Sequence, residues 1–218
     1  MCDEIAPFGE KICLECFKKL TYITQPWCMK CGKRLREEEK EYCGDCARRS
    51  HNYIRGRALY EYKSIAGSLY RFKYGGRREY ADFYGEEAAH CLKGFLDQVR
   101  PEGLVPVPLH RKRYKKRGYN QALLLAKVIG KHTGIPVYDK LVRRQKDTRP
   151  LKMLNSTERQ NNLKNAFHIA QNDVKLKVVL IIDDIYTTGS TIDAIAAELK
   201  KVGTQKVYFL TLACGTGI

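Results

Sequence analysis

Two adjacent carboxylates, Asp183 and Asp184, end an apolar run and are followed by a turn of small and hydroxyl-bearing residues at 187–191. If this turn opens a helix, the backbone N–H groups of the helix start and the hydroxyls together form a cradle for a phosphate group. A glycine within the turn lets the backbone approach the anion closely. The residues that we expect to hold the phosphate are Thr187, Thr188, Gly189, Ser190 and Thr191.

The two carboxylates would repel a phosphate unless another group engages them. Ribose hydroxyls do this directly by hydrogen bonding, and Mg²⁺ does it by bridging oxygen ligands. The segment therefore predicts a sugar phosphate whose ring hydroxyls and phosphate are held together. The alternative interpretation is an acidic strand end that caps a helix.

Seven of the nine cysteines lie within the first 46 residues, and six of them form three Cys-x-x-Cys pairs. Two residues between thiolates allow both sulfurs of a tight turn to reach one Zn²⁺ at ~2.3 Å. The pairs Cys28/Cys31 and Cys43/Cys46 are separated by 11 residues, and we predict that they share one structural zinc ion. Disulfides or free thiols are the alternative, which a reducing cytosol disfavours.

The third pair, Cys13 and Cys16, has no matching partner pair, because Cys2 is the only other cysteine in this region. Three ligands do not close a structural zinc site. Cys2, Cys13 and Cys16 are therefore candidate ligands of a second ion, and a pair that holds no metal is the alternative. Cys91 and Cys214 stand alone, and we expect both to be small buried apolar residues.

Basic side chains are concentrated in one part of the chain. The protein carries 40 Lys and Arg against 24 Asp and Glu, a net charge of +16. Residues 111–164 alone hold 16 basic and 3 acidic residues, a net of +13, which predicts attraction to anions. The sequence contains neither a run of ~18 apolar residues, which a membrane helix needs, nor the start of a signal peptide. We therefore expect a cytoplasmic protein without membrane insertion.

Strands and helices are predicted to alternate after the cysteine-rich segment. Apolar runs predict strands at 58–62, 104–108, 135–141, 177–182 and 207–212. Helical patterns occupy 64–73, 79–96, 121–131 and 190–201. This order predicts an α/β fold with a mainly parallel sheet flanked by helices. We expect two domains, a Cys-rich zinc-binding module at 1–50 and the α/β domain at 51–218.

The run Val178–Thr191 (VVLIIDDIYTTGST) resembles the signature loop of type I phosphoribosyltransferases, which bind phosphoribosyl pyrophosphate (PRPP). It departs from that signature at Tyr186, where the family more often has an aliphatic residue. The resemblance implies that Asp183 and Asp184 contact the ribose 2′- and 3′-hydroxyls and that residues 187–191 hold the 5′-phosphate. It also implies displacement of pyrophosphate at the anomeric carbon, with Mg²⁺ on the pyrophosphate.

One position within this loop bears on the acceptor of such a transfer. Purine-salvage members of the family carry an aspartate where this chain has Thr187. A threonine cannot act as a general base at neutral pH, so purine salvage is disfavoured.

Further segments extend the resemblance over essentially the whole chain, to the ComF/GntX late-competence family. They are RFKYGG at 71–76, VPVPLH at 105–110, RGYNQ at 117–121, TERQNN at 157–162, NAF at 165–167 and the Cys-rich head. The resemblance implies a cytoplasmic protein that handles incoming single-stranded DNA beside a DNA-uptake helicase and a recombination mediator.

The resemblance also gives the basic residues a place. In the type I fold the loop after the second strand grips pyrophosphate, which implies a catalytic role for Arg111, with Lys112 and Arg113 as further candidates. The stretch 143–162 falls where that fold carries a flexible hood over its active site. His110, beside this loop, is expected to be structural.

A net charge of +13 exceeds what one PRPP molecule requires, and a polyanion such as single-stranded nucleic acid fits it better. Tyr114, Tyr119 and Tyr138 are the available aromatic side chains, although each could equally belong to the core. Solvated surface charge is the alternative interpretation of the basic residues. The residues that we expect to bind nucleic acid are Arg111, Lys112, Arg113, Lys115, Lys116, Arg117, Arg143 and Arg144.

Three functions from different classes are consistent with these patterns. The first is a PRPP-binding protein or phosphoribosyltransferase with a zinc-bearing head, and a metabolic enzyme with an unknown acceptor and no nucleic-acid role is one form of it. The second is a nucleic-acid-binding factor of DNA uptake. The third is a protein that docks a partner through its zinc head. We favour a combination of the first two, in which PRPP binding is better supported than turnover.

Overall fold

The structure is a computed structural model that describes residues 7, 9–36, 40–145, 166–170 and 175–215. Its strands are β1 (Gly56–Glu61), β2 (Gly103–Pro106), β3 (Val142–Arg144), β4 (Phe167–Ile169), β5 (Val178–Tyr186) and β6 (Lys206–Cys214). Its helices are α1 (Leu14–Lys18), α2 (Gly44–Ala47), α3 (Tyr62–Tyr74), α4 (Tyr80–Cys91), α5 (Lys93–Val99), α6 (Arg111–Arg117), α7 (Gln121–Thr133) and α8 (Ser190–Lys201).

A parallel sheet in the order β1–β6–β5–β2 forms the centre of the fold. Residues 179–182 of β5 are fully buried, which explains the unbroken apolar run, since both faces of a parallel sheet are covered by helices. Val179 and Ile181 face α8, whereas Leu180 and Ile182 face α3, α4 and α7. The predicted fold class, a mainly parallel sheet flanked by helices, is confirmed.

Three predicted elements differ from the structure. The strand predicted at 135–141 is reduced to a single bridge between Val137 and Leu104, because Pro136 has no N–H to donate and a turn follows at 139–140. The helix predicted at 79–96 is interrupted at Leu92, whose φ of −102° and ψ of 17° leave the helical region. Strand β5 continues beyond its predicted end at 182 to residue 186.

The cysteine-rich segment packs directly on the sheet. The backbone of Tyr22 forms an isolated antiparallel β-bridge with Tyr60 of β1. The N–H of Ile23 donates to the carbonyl of Leu59 at 2.9 Å. Gly32 has a φ of +71°, and a Cβ added there would lie 2.8 Å from the backbone of β1, so only glycine allows this close approach. Cys28, Cys31, Cys43 and Cys46 belong to the same buried cluster as the α8 side of the sheet. The division at residues 1–50 and 51–218 stays a prediction.

A short antiparallel pair of strands, β3 and β4, lies outside the parallel sheet. It brackets residues 146–165, so most of the predicted hood lies outside the described residues, including Lys146, Arg149, Lys152 and Arg159. No helix in the described part of the chain combines the length and the apolar character needed to cross a bilayer.

Candidate functional site

The predicted phosphate cradle is the turn between β5 and α8. It leads from the end of a buried strand into a 12-residue helix. Gly189, the N-cap residue of α8, has a φ of +76°, and its carbonyl accepts the N–H of Asp193 at 2.8 Å. The hydroxyls of Thr188 and Ser190 lie 2.9 Å apart. Free N–H groups of a helix start and side-chain hydroxyls are therefore brought together, as anion binding requires.

The acidic pair lies inside β5 rather than in the turn. Asp183 and Asp184 are both half-buried, and the N–H of Asp184 donates to Asp183 Oδ1 at 2.9 Å. Burial and the neighbouring charge of Asp184 raise the pKa of Asp183 to about 7. The Asp184 N–H and the charges of Lys73 and Arg144 act in the opposite direction. Asp183 is thus a carboxyl group held near its point of ionisation at neutral pH.

Lys73 is a site residue that the sequence patterns did not single out. Its Nζ lies 2.7 Å from Asp184 Oδ1, and the two side chains are only 18% and 13% exposed. It lies near the end of α3, in the RFKYGG segment. That segment is part of the family resemblance, which assigns no role to the lysine. Lys73 supplies the positive charge that offsets one of two adjacent carboxylates.

The two arginines of β3 have different environments. Arg143 is exposed, whereas Arg144 is half-buried, with its guanidinium 5.3 Å from the centre of the Phe167 ring. Arg144 is close enough to Asp183 to lower the pKa of that carboxyl group. The charge of Arg144 therefore acts on the acidic pair, while its predicted role in nucleic-acid binding stays untested.

The basic segment after β2 forms a helix, α6, and not the expected loop. The side chain of His110 caps it by accepting the N–H of Lys112 at 3.3 Å. Arg117 is engaged within the protein, because its guanidinium lies 5.0 Å from the Tyr74 ring and donates to Gln121. The exposed basic residues of α6 are Arg111, Lys112, Lys115 and Lys116, and Arg113 is half-buried.

The aromatic residues expected to stack on bases are placed differently from one another. Tyr119 is buried and its hydroxyl donates to a backbone carbonyl, while Tyr138 packs against the core. Tyr114 is exposed, and so are Tyr70 and Tyr74 of α3, whose ring centres lie 5.1 Å apart. We call the exposed side chains of α6 together with Tyr70 and Tyr74 the α3–α6 surface, since Tyr74 contacts α6.

Four cysteines form the candidate metal centre. The sulfurs of Cys28, Cys31, Cys43 and Cys46 all lie within 4.8 Å of one another, and the described residues contain no other such group of three or more ligand side chains. Cys31 Sγ and Cys43 Sγ are 3.7 Å apart. A tetrahedral zinc ion with bonds of ~2.3 Å requires sulfurs about 3.8 Å apart, whereas a disulfide requires ~2.05 Å. The four thiols therefore fit a zinc ion.

The remaining cysteines differ in burial, and only some of them agree with the expectations from the sequence. Cys13 and Cys16 are half-buried at the start of α1, outside the four-thiol group, and Cys2 lies outside the described residues. The expectation of a buried Cys91 is wrong, because it ends α4 on an exposed face. Cys214 is buried as expected, and hydrogen bonding with it raises the pKa of Cys31, as do the neighbouring thiols and burial.

A basic cleft opens between the cysteine-rich segment and the carboxyl ends of β1 and β6. It has a volume of about 570 Å³, and Lys33, Arg34 and Arg36 of the cysteine-rich segment line one side of it. Arg34 forms an ion pair with Glu61 at 2.8 Å, which leaves a surplus of positive charge. The cleft lies at the carboxyl edge of the sheet, where ligands of open α/β folds bind. It is a second cationic surface in addition to the basic helix α6.

The raised pKa of Asp183 predicts a pH-dependent cost in stability. The folded protein binds this proton more tightly than the unfolded chain, so wild-type stability falls as pH rises from about 4 to about 7. Asp183→Asn removes that cost. Its gain in the free energy of unfolding should increase by about 1–2 kcal/mol between roughly pH 5.5 and pH 8, since one pKa unit is worth about 1.4 kcal/mol.

Urea unfolding at the two pH values measures this difference. The control is Asp97→Asn, which alters an exposed carboxylate paired with Lys93 and should change stability by less than ~0.5 kcal/mol at either pH. A gain for Asp183→Asn that does not grow with pH would contradict the assignment.

Comparison with known proteins places these features in a family. Residues 1–47 match the double zinc ribbon domain and residues 123–215 match the phosphoribosyl transferase domain. Competence protein F of Haemophilus influenzae is 39% identical over 52% of this chain and 50% of its own length. DNA utilization protein YhgH of Escherichia coli is 31% identical over 64% of this chain and 62% of its own length. This chain therefore spans about half to three-fifths of these two relatives.

A third relative is matched over most of both chains. Competence protein ComFC of Bacillus subtilis is 30% identical over 202 residues, which make up 89% of this chain and 80% of that protein. A match of this length extends well beyond the phosphoribosyl transferase domain at residues 123–215. This chain belongs to the ComF/GntX late-competence family.

Proposed function

We propose that this protein binds PRPP as its Mg²⁺ complex at the β5–α8 turn and handles single-stranded DNA in the cytoplasm during DNA uptake. The observation that carries the PRPP assignment is the acidic pair at the end of β5, followed at once by the hydroxyl-rich turn that opens α8. A ligand that carries ribose hydroxyls and a phosphate together would satisfy both parts of this arrangement. The match of residues 123–215 to the phosphoribosyl transferase domain supports it.

In this proposal each group of the site has one task. Asp183 and Asp184 accept hydrogen bonds from the ribose hydroxyls, and the turn at 187–191 donates to the 5′-phosphate. Arg144, beside the acidic pair, and Arg111, at the start of α6, offset the charge of the pyrophosphate with Mg²⁺. Fixed positive charge around a leaving pyrophosphate is what a transferase of this kind uses for catalysis.

Turnover would break the bond between the anomeric carbon and pyrophosphate as an acceptor nucleophile attacks that carbon, and the bonding electrons would leave with the Mg²⁺-bound pyrophosphate. A base for the acceptor is not supplied by Thr187, whose hydroxyl does not ionise at neutral pH. Binding of PRPP is therefore the stronger part of the proposal.

The DNA part of the proposal is supported by the α3–α6 surface and by the relatives' names, which refer to competence and DNA utilization. Single-stranded DNA binds to basic grooves in which exposed aromatic rings stack on the bases. Lys115 and Lys116 are exposed beside Tyr114 on α6, and Tyr70 and Tyr74 are exposed on α3. A DNA-uptake helicase and a recombination mediator are the proposed protein partners.

The metal part of the proposal is a structural zinc ion at Cys28, Cys31, Cys43 and Cys46. The four sulfurs have the spacing of a tetrahedral site, and residues 1–47 match a double zinc ribbon. Four neighbouring thiolates repel one another, which disfavours their ionisation. A bound divalent cation attracts all four and therefore favours the thiolate forms. Cys2, Cys13 and Cys16 are the proposed ligands of a second ion.

The PRPP site is tested by calorimetric titration of PRPP with Mg²⁺ into the full chain. Asp183→Asn and Asp184→Asn should each weaken binding by roughly 10–100-fold, because each replaces a charge-assisted acceptor of about 1.5–3 kcal/mol. Asp97→Asn, a carboxylate exposed on α5, is the matched control and should bind normally. Wild-type protein that shows no heat of binding would rule out the site. Release of pyrophosphate in the same samples reports turnover.

The DNA surface is tested by fluorescence anisotropy with single-stranded DNA over a series of salt concentrations. Lys115→Ala/Lys116→Ala should weaken binding and reduce the slope of log K against log[salt] by about 1.4, since each phosphate contact contributes ~0.7. Lys200→Ala/Lys201→Ala removes two lysines from the end of α8 and should leave the slope unchanged. A wild-type slope near zero would exclude phosphate contacts altogether.

Metal analysis of the purified protein tests the zinc site. We expect at least one equivalent of zinc, and Cys28→Ser should lower the content by one equivalent because three ligands do not close a structural site. Cys91→Ser, at an exposed cysteine outside the four-thiol group, should keep the wild-type content. Less than one equivalent in wild-type protein contradicts the assignment, and two equivalents support the second ion.

A further inference from the structure

We infer that the zinc ribbon positions the phosphate-binding turn, and that His51 and Asp193 are the positioning residues that connect the two. The inference rests on the proposed PRPP site and adds to it a coupling between metal binding and PRPP binding. It assigns no chemical step to the ribbon.

The first connection runs from a candidate zinc ligand to the first turn of α8. His51 Nε2 lies 3.8 Å from Cys46 Sγ, and His51 Nδ1 lies 2.6 Å from Asp193 Oδ2, with the two side chains 3% and 20% exposed. The backbone N–H of Asn52 donates to the other carboxylate oxygen, Oδ1, at 2.7 Å. Both oxygens of Asp193 are therefore held by the segment that directly follows the ribbon.

Asp193 in turn is fixed to the turn itself. Its N–H donates to the carbonyl of Gly189 at 2.8 Å, and Gly189 has the left-handed φ of +76° that shapes the cradle. A displacement of Asp193 therefore shifts the helix start whose N–H groups face the phosphate. Groups that orient metal ligands also fix their surroundings in this way.

A second connection runs parallel to the first. The hydroxyls of Tyr53 and Tyr186 are 2.7 Å apart, and the Tyr53 ring stacks on His51 with a centre-to-centre distance of 4.7 Å. Tyr186 also packs directly against Gly189. A Cβ added at Gly189 would lie 2.7 Å from the Tyr186 hydroxyl oxygen. The departure of Tyr186 from the phosphoribosyltransferase signature thus has a structural reason, since an aliphatic residue could not reach Tyr53 with a hydroxyl.

Electrostatics give the contact with Asp193 a functional consequence. A carboxylate in the first turn of a helix competes with a phosphate for the same positive end of the helix. Here the Asp193 carboxylate points towards His51 and Asn52 and is hydrogen-bonded to both, so these two residues offset its negative charge.

Because coupling between two binding sites is reciprocal, zinc should strengthen PRPP binding and PRPP should strengthen zinc binding by the same factor. Couplings of this kind are typically about 5–150-fold. If the ribbon only packed against the sheet and did not position the phosphate-binding turn, zinc binding and PRPP binding would be independent of each other.

The test uses the full-length, zinc-loaded protein and Asp193→Asn, which keeps the shape of the side chain. We expect Asp193→Asn to bind PRPP with Mg²⁺ roughly 5–50-fold more weakly. In wild-type protein, saturating PRPP should lower the Kd for zinc, measured by equilibrium competition with a chelator, by at least about 5-fold, and Asp193→Asn should abolish that protection. The control is Glu198→Gln on the same helix, where the carboxylate pairs with Lys201; it should behave as wild type in both assays.

Hydrogen exchange separates this inference from the proposed function. Asp193→Asn, still zinc-loaded, should exchange faster than wild type at residues 187–193, and chelation of zinc from wild-type protein should have the same local effect. If wild-type protein does not bind PRPP, the proposed function fails, and the exchange data alone decide the inference. Unchanged exchange at 187–193 in Asp193→Asn, or full PRPP protection of zinc in that variant, would overturn the inference.

Discussion

The electrostatic repulsion between Asp183 and Asp184 is the constraint around which this site is built. Two carboxylates side by side at the end of a buried strand cannot both ionise cheaply, and the fold answers with Lys73 on one of them and Arg144 near the other. What remains is a carboxyl group with a raised pKa, shortly before the turn proposed to bind the phosphate. A ligand that brings hydroxyl donors together with a phosphate resolves the repulsion and uses the turn. The PRPP proposal follows from that physical requirement.

The same sheet face joins the site to the ribbon. Val179 and Ile181 of β5, the helix α8 and the four ribbon cysteines share one buried cluster, so the metal centre and the phosphate turn lie on one continuous packing surface. Buried polar contacts at His51, Asp193, Tyr53 and Tyr186 cross this surface at defined distances. These contacts are the physical basis of the coupling inferred above between the four-thiol group and the β5–α8 turn.

Sequence analysis predicted the parts of this protein that are set by local patterns. The apolar run of β5, the turn at 187–191 and the Cys-x-x-Cys spacing each reflect a local requirement, and the helix at 190–201 was placed at its observed bounds. The roles of Lys73, His51 and Asp193 could not be predicted, because their partners are 111, 142 and 142 residues away. A lone lysine or histidine has no periodicity that reveals such a partner. Pro136 carried a usable signal against the strand at 135–141.

Carbon-13 NMR of the Asp183 carboxyl group tests the central claim most directly. The signal, assigned with Asp183→Asn, should titrate with a pKa of about 7 in the ligand-free protein. Saturating PRPP with Mg²⁺ should move this pKa well below that value, since hydroxyl donors and a cation favour the ionised form. A pKa that is unchanged by PRPP, or one that is already ordinary for aspartate in the free protein, would contradict the account.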